Sequence, residues 1–438
     1  MMMQQRPFPH GSRSIAFLLT LLFAIGIRSE PTPQTMRIGP EFQVNMFTAD
    51  NQLDPAAALD DAGNFVITWY SVGQDGSTGS IFAQRFDAQG TPMGSEFRVN
   101  DYSSSSQQYP AIAMNGAGHF VIVWRSLNQD GSKFGIFAQR FDAQGGRIGP
   151  EFQVNSFTAG DQLGPAVAMD AAGHFVITWS SRRQDGDAMG VFAQRFNAHG
   201  ERIGPEFQVN RFTKGSQLDP AMAMDEAGNF VITWSSRGQD RDGMGIFAQR
   251  FNAQGKRVGP EFQVNTSRAG SQLGSAVSMD SSGQFVVSWS SRDQDGSDWG
   301  VYAQRFDARG TPLGSELRVN TYTKGSQQFP AITTGRLGQV IIAWGSHGQD
   351  GDGMGIFAQR FDAAGSPLGD EFQVNRFAAR EQTYPTIAMN NKGHFVVAWR
   401  SQGQDGSGFG IFAQRFQLPD LGAGAAKMAT EGTQSLKN

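Results

Sequence analysis

PAVAMDAAGHFVITWSSRRQDGDAMGVFAQRFNAHGERIGPEFQVN, residues 165–210, holds four short runs rich in Val, Ile, Phe and Trp: PAVAM, GHFVITW, GVFAQRF and PEFQVN. Asp and Gly, the residues of turns, fill the breaks, so the runs read as four strands. MDAAG and NAHG make tight turns, while SSRRQDGDAM and the following RFTKGSQLD make longer loops. The pattern recurs every 55 residues. Trp69, Trp124, Trp179, Trp234, Trp289, Trp344 and Trp399 mark the period, as do Asn45, Asn100, Asn155, Asn210, Asn265, Asn320 and Asn375.

A four-stranded unit with no helical periodicity cannot bury its own apolar face, so copies must stack to make a core. WD-type propeller blades run ~40–45 residues and kelch blades ~50, which places a unit of this length among propellers rather than shorter-coiled linear β-solenoids. The sequence therefore predicts an all-β, seven-bladed β-propeller with four antiparallel strands per blade, over residues 36–416. Its ends point the same way. The first repeat contributes a lone fourth strand, Glu41 to Asn45, and the last stops at Phe416 without one. Pairing the two closes the ring and removes both free edges. The Ala-rich strand (Ala56, Ala111, Ala166, Ala221) suits the crowded axis, and EFQVN, which alternates apolar and polar residues, suits the rim. The two longer loops of each repeat then share one face, where function is expected.

Balanced charge, net −4, with no basic stripe argues against nucleic acid as a partner. Arg6, His10 and Arg13 precede an apolar run from Ile15 to Ile27 and then small and Pro-containing polar residues. This is the plan of a signal peptide over 1–29, and the run is shorter than the roughly 20 residues of a comfortable bilayer span. The expectation is a secreted, periplasmic or cell-surface protein with no stable membrane span once the signal is removed. There is no cysteine, so neither disulfides nor thiol chemistry enter. Residues 417–438 turn to Gly, Ala, Ser, Thr and Lys, the composition of a disordered tail.

Two loop positions carry candidate binding residues. One holds Phe134, Met189, Met244, Trp299, Met354 and Phe409, with Gly79 in the first repeat; the other includes Tyr102 and Tyr322. Rings on a polar face supply large contact area at little entropy cost, as sugar and peptide sites require; plugging the blade ends is the alternative. The Gln-Asp-Gly element, as in Gln74-Asp75-Gly76, reads as a turn whose Asp accepts backbone N–H groups. The pairs Asp185 and Asp187, Asp240 and Asp242, and Asp350 and Asp352 also have the spacing of a calcium loop, though calcium takes 6–8 oxygens. Arg85 and Glu96, with their counterparts, are expected to form cross-strand ion pairs. Gln52 and its counterparts are expected to tie loop backbone together.

GIFAQRFDAAGSPLGDEFQVN, residues 355–375, resembles repeats of large bacterial exported and cell-surface proteins. That resemblance implies export and repetition but no particular activity. No catalytic residue stands out. The histidines do not cluster, and the inner strands read as nearly the same seven times, which serves poorly a chemistry needing one acid and one base. The expectation is a protein that is not an enzyme: a module making multivalent contacts to extracellular glycan or protein through one loop face. The alternatives are a calcium-binding surface scaffold, and a hydrolase or lyase with a propeller active site.

Overall fold

Each repeat folds as its turn residues dictate. In the first, β2 (Gln52–Leu59), β3 (Phe65–Ser71), β4 (Ser80–Phe86) and β5 (Phe97–Arg98) follow one another as an antiparallel meander, with β2 and β5 at its two edges. The pattern continues to β28 in chain order, making seven four-stranded sheets among the described residues. The computed structural model describes residues 36–419. The signal peptide expected over 1–29 and almost all of the tail expected over 417–438 lie outside the described residues; Gln417 itself ends β28.

The inner strands, β2 and its counterparts, lie side by side around the axis. The seventh sheet has the order β1-β28-β27-β26, from β1 (Met36–Gln43), β28 (Phe409–Gln417), β27 (His394–Gln402) and β26 (Gln382–Met389). The N-terminal strand thus closes the ring, with Phe42 opposite Ala413 and Gln43 opposite Phe412.

Each of the seven apolar clusters draws on two neighbouring blades. One, for example, joins Val396 and Ile411 of the last blade to Val44 and to Trp69 and Phe86 of the first. The core is therefore made between units, as the repeat argument requires. Trp69 and its six counterparts are fully buried.

Polar ties also run between blades, and here the expected ion pairs give way to another arrangement. Arg85 does not meet Glu96. Its guanidinium donates to the carbonyls of Ala143 and Gln144 in the next blade, and Arg195 does the same to Ala253 and Gln254 at 2.7 and 2.8 Å. Glu96 instead accepts the N–H groups of Met46 and Phe47 at 2.6 and 3.1 Å and Gln74 Nε2 at 2.6 Å. The Arg side chains serve the tight-turn face and the Glu side chains the loop face, so the two sets stand apart. Gln52 is fully buried; its Nε2 donates to the Ala49 carbonyl at 2.9 Å and its Oε1 accepts from Asn45 Nδ2 at 3.1 Å, which is the loop-tying role expected of it.

Candidate functional site

Every inner strand carries the same irregularity. Leu53 pairs with Tyr70 and Ala56 with Thr68, so Asp54 and Pro55 together oppose Trp69. This is a β-bulge. Its first residue has positive φ in all seven blades: Asp54 52°, Tyr109 54°, Gly164 58°, Asp219 52°, Gly274 62°, Phe329 59° and Tyr384 53°. For an L-residue this conformation costs about 1–2 kcal/mol relative to glycine. Two blades use glycine, while five hold Asp, Tyr or Phe against that cost. Strain retained at one repeat position, with the side chain varied from blade to blade, marks a position kept for contact rather than for folding. The bulge follows Gln52 closely, so these side chains cluster at the loop-face mouth of the central channel.

A second varied position, directly after the buried tryptophan, supplies Tyr70, Arg125 and Arg400, where other blades have Ser or Gly. The Arg125 guanidinium lies 4.2 Å from the Tyr109 ring centroid and 4.5 Å from that of Phe134, and Arg400 lies 4.2 and 4.9 Å from Tyr384 and Phe409. Gln108 Oε1 accepts Arg125 Nε at 3.2 Å and Nη2 at 2.5 Å; Thr383 Oγ1 accepts Arg400 Nε at 2.9 Å. Phe329 stacks on Tyr384 with centroids 4.1 Å apart. Tyr109 and Tyr384 nevertheless remain 47% and 38% exposed.

Asp54 stands between the two arginine-bearing blades, its Oδ1 3.9 Å from Arg400 Nη1. Burial pushes its carboxyl up, with Arg400 and Arg125 pulling the other way. Asp219 opens to solvent along the channel, yet the surrounding protein weakens its hydration and pushes its carboxyl up as well. Tyr384 is held above the ordinary phenol range by burial and feels Arg400, Tyr109, Asp54 and Asp219. The mouth therefore gathers two guanidinium groups, two carboxyl groups and the rings of Tyr109, Phe134, Phe329, Tyr384 and Phe409.

The loop residues singled out from the sequence fall into two groups. Phe134, Met189, Met244, Trp299, Met354 and Phe409 all open third strands and are half-buried. Phe134 and Phe409 form the outer walls of the arginine clamps, and Met354 lies over Gly345. Tyr102 and Tyr322 sit half-buried in the other loop, where their carbonyls accept Nδ2 of Asn100 and Asn320 at 2.8 and 2.9 Å. The bulge residues and the two arginines were missed. The signal that could have found them is the variability of two positions inside otherwise uniform strands.

The candidate metal residues act as turn formers. Asp185 Oδ1 accepts Asp187 N at 3.3 Å, and Asp187 Oδ2 accepts Gly215 N at 2.9 Å. Asp240 accepts Asp242 N at 3.2 Å, and Asp242 accepts Gly243 N at 2.9 Å. Asp352 accepts Gly353 N and Arg380 N, each at 2.9 Å, while Asp350 Oδ2 accepts Asn375 Nδ2 at 3.3 Å. Among the described residues no three His, Cys, Asp or Glu converge as metal ligands.

On the opposite face the channel opens into a cavity of about 480 Å³, lined by Leu59, Met114, Met169, Met224 and Met389 and by acidic residues. Its Asp170 and Asp225 are occupied by the N–H groups of His174 and Asn229, both at 2.8 Å.

No family model matches the sequence, and no curated protein does. Solved structures do share the fold. A protein of unknown function from Dyadobacter fermentans aligns with a TM-score of 0.56 at 11% identity, covering 88% of this chain and 100% of that one. A fungal alcohol oxidase of the AA5 family, in complex with copper, gives 0.52 at 10%, covering 89% and 77%. An α-L-arabinanase of Penicillium chrysogenum complexed with arabinobiose gives 0.50 at 10%, covering 88% and 99%.

The expectation that the chain is not an enzyme is corrected on two grounds. Solved structures of matching fold include an α-L-arabinanase and an alcohol oxidase. The argument from sevenfold sameness fails as well, because the inner strands differ at the one position that reaches the channel mouth.

Proposed function

We propose that the protein is an exported glycan-binding propeller with one asymmetric site at the loop-face mouth of its channel. The observation that carries this reading is the bulge: five of seven blades hold a strained Asp, Tyr or Phe where glycine would be free of cost. Exposed ring surface on Tyr109 and Tyr384 suits the apolar faces of sugars, and Arg and Asp side chains suit their hydroxyls. Because the seven positions differ, the ring offers one composite site rather than seven equivalent ones. Export rests on the N-terminal signal pattern.

Cleavage of the bound glycan is a second reading, favoured by Asp54 and Asp219, two carboxyl groups at the mouth that weakened hydration pushes up. Titration of the full chain with a panel of oligosaccharides tests the binding reading, with reducing-end release followed in the same samples. One ligand per chain, lost in Tyr109→Gly, supports it; binding at several equivalent sites, or binding untouched by Tyr109→Gly, contradicts it. Release of sugar that stops in both Asp54→Asn and Asp219→Asn would add catalysis.

A further inference from the structure

We infer that the glycan is acidic and that Arg125 and Arg400 hold its carboxylate, an inference that rests on the glycan-binding reading above. The two blades that carry these arginines flank the first blade and repeat one device. In each, the bulge tyrosine covers one face of the guanidinium and the loop phenylalanine the other, with centroid distances between 4.2 and 4.9 Å. In each, a side chain one residue before that tyrosine accepts the guanidinium Nε: Gln108 Oε1 in one blade and Thr383 Oγ1 in the other. Elsewhere in the ring the position of these arginines is Tyr, Ser or Gly, and the partner position is Leu or Gln. The clamp therefore belongs to these two blades and not to the repeat.

A guanidinium fixed at its Nε edge and sandwiched between rings has lost its freedom to swing, while in both residues Nη1 donates no hydrogen bond to an acceptor among the described residues. Among the described residues Arg125 donates only to Gln108, and Arg400 donates to Thr383 and approaches Asp54 no closer than 3.9 Å. A preorganised pair of planar cations with unused donors fits a planar anion, because charge-assisted bonds to carboxylate are about twice as strong as neutral ones. The partial exposure of Arg400 and Asp54, 21% and 18%, leaves room for the ligand to reach the pair. Asp54 sets the terms of entry. The Asp54 carboxyl lies 3.9 Å from Arg400 and feels the charge of Arg125 as well; an incoming carboxylate competes with it, and the burial that pushes the Asp54 carboxyl up eases the exchange. A uronic acid offers both parts of the match: a ring face for Tyr109 and a carboxylate at its edge.

Isothermal titration of the full chain tests this, using oligomers of galacturonate, glucuronate and mannuronate, the methyl ester of the galacturonate oligomer, a neutral arabino-oligosaccharide and a polyglutamate peptide. At least one uronate oligomer should bind, and its ester or the neutral sugar should bind at least about tenfold more weakly. Arg125→Gln and Arg400→Gln should each weaken uronate binding about tenfold or more without lowering the thermal midpoint enough to unfold the chain. Arg336→Gln, on the tight-turn face, should leave binding unchanged, and salt should weaken it. Neutral sugar bound as tightly as uronate, and insensitive to both Arg changes, would overturn the acidic assignment while leaving glycan binding intact. Absence of binding to every sugar, or preference for polyglutamate, would overturn both.

Discussion

The ring of Tyr70 stands where a Cβ on Gly79 would be, 2.1 Å from the Tyr70 Cε2 carbon and 2.5 Å from its hydroxyl oxygen. Gly79 is the one repeat position in its column without a large side chain, and Tyr70 is the one tyrosine in its own column. The two exceptions are therefore one adaptation: a ring entering from β3 replaces the large side chain that other blades bring at the head of the third strand. Gly79→Phe is expected to cost roughly 1–3 kcal/mol by overpacking. The double change Tyr70→Ser with Gly79→Phe should recover at least half of that, measured by urea unfolding. Additive costs would show that the two residues are independent.

The bulge predicts a trade of binding for stability. Asp219→Gly removes a positive-φ side chain that makes no hydrogen bond or ion pair with the described residues and should stabilise the fold by about 0.5–1 kcal/mol. Its carboxyl is raised in the folded state, so ionisation opposes folding: this group's contribution to stability falls as pH rises from about 4, the unfolded value, through the folded one. The gain from Asp219→Gly should therefore be larger at pH 7 than at pH 3.5, and a gain that grew in acid would refute the assignment.

Asp75 has the opposite sign. Burial pulls its carboxyl up, but hydrogen bonds from the Ser77 and Ser80 hydroxyls, the Ser77 N–H and Arg98 outweigh it and hold it below the ordinary value. Its stabilisation is present above the unfolded value and is lost as pH falls through the folded one. Ser80→Ala, which removes the 2.6 Å bond, should weaken the fold at pH 7 by about 1 kcal/mol and lose that deficit in strong acid. Unfolding curves between pH 2 and 7 decide the matter.

Ring closure depends on the N-terminal strand. Val44 N donates to the Ile411 carbonyl at 2.8 Å, and Asn45 Oδ1 accepts Ile411 N at 2.7 Å. Deleting β1 together with these residues would expose the edge of β28 and half of one core cluster. A lower thermal midpoint and soluble oligomers by light scattering are expected; a monomer as stable as the parent would contradict closure.

Much of the architecture was legible because it is periodic. The tryptophans fixed the ruler, turn residues separated the strands, and the unmatched fourth strand announced closure. The site was less legible. Tyr109, Phe329 and Tyr384 stand before proline at the head of strands that look alike, and nothing in Tyr or Phe signals a positive φ, since glycine is the residue that would. Averaging the repeats hid the bulge position, where the side chain changes between Asp, Tyr, Gly and Phe around the axis. The Arg85 to Glu96 pairing failed for a related reason: alternation along a strand does not reveal which end of the blade a long side chain serves, and both residues reach neighbouring blades instead.

Calorimetric titration of the wild-type chain and of a Tyr109→Gly, Tyr384→Gly double variant with uronate oligosaccharides tests the central claim most directly. The account predicts one site per chain in the wild type and loss of binding in a variant that is at least as stable. Equal binding by the two, or several equivalent sites per ring, would contradict it.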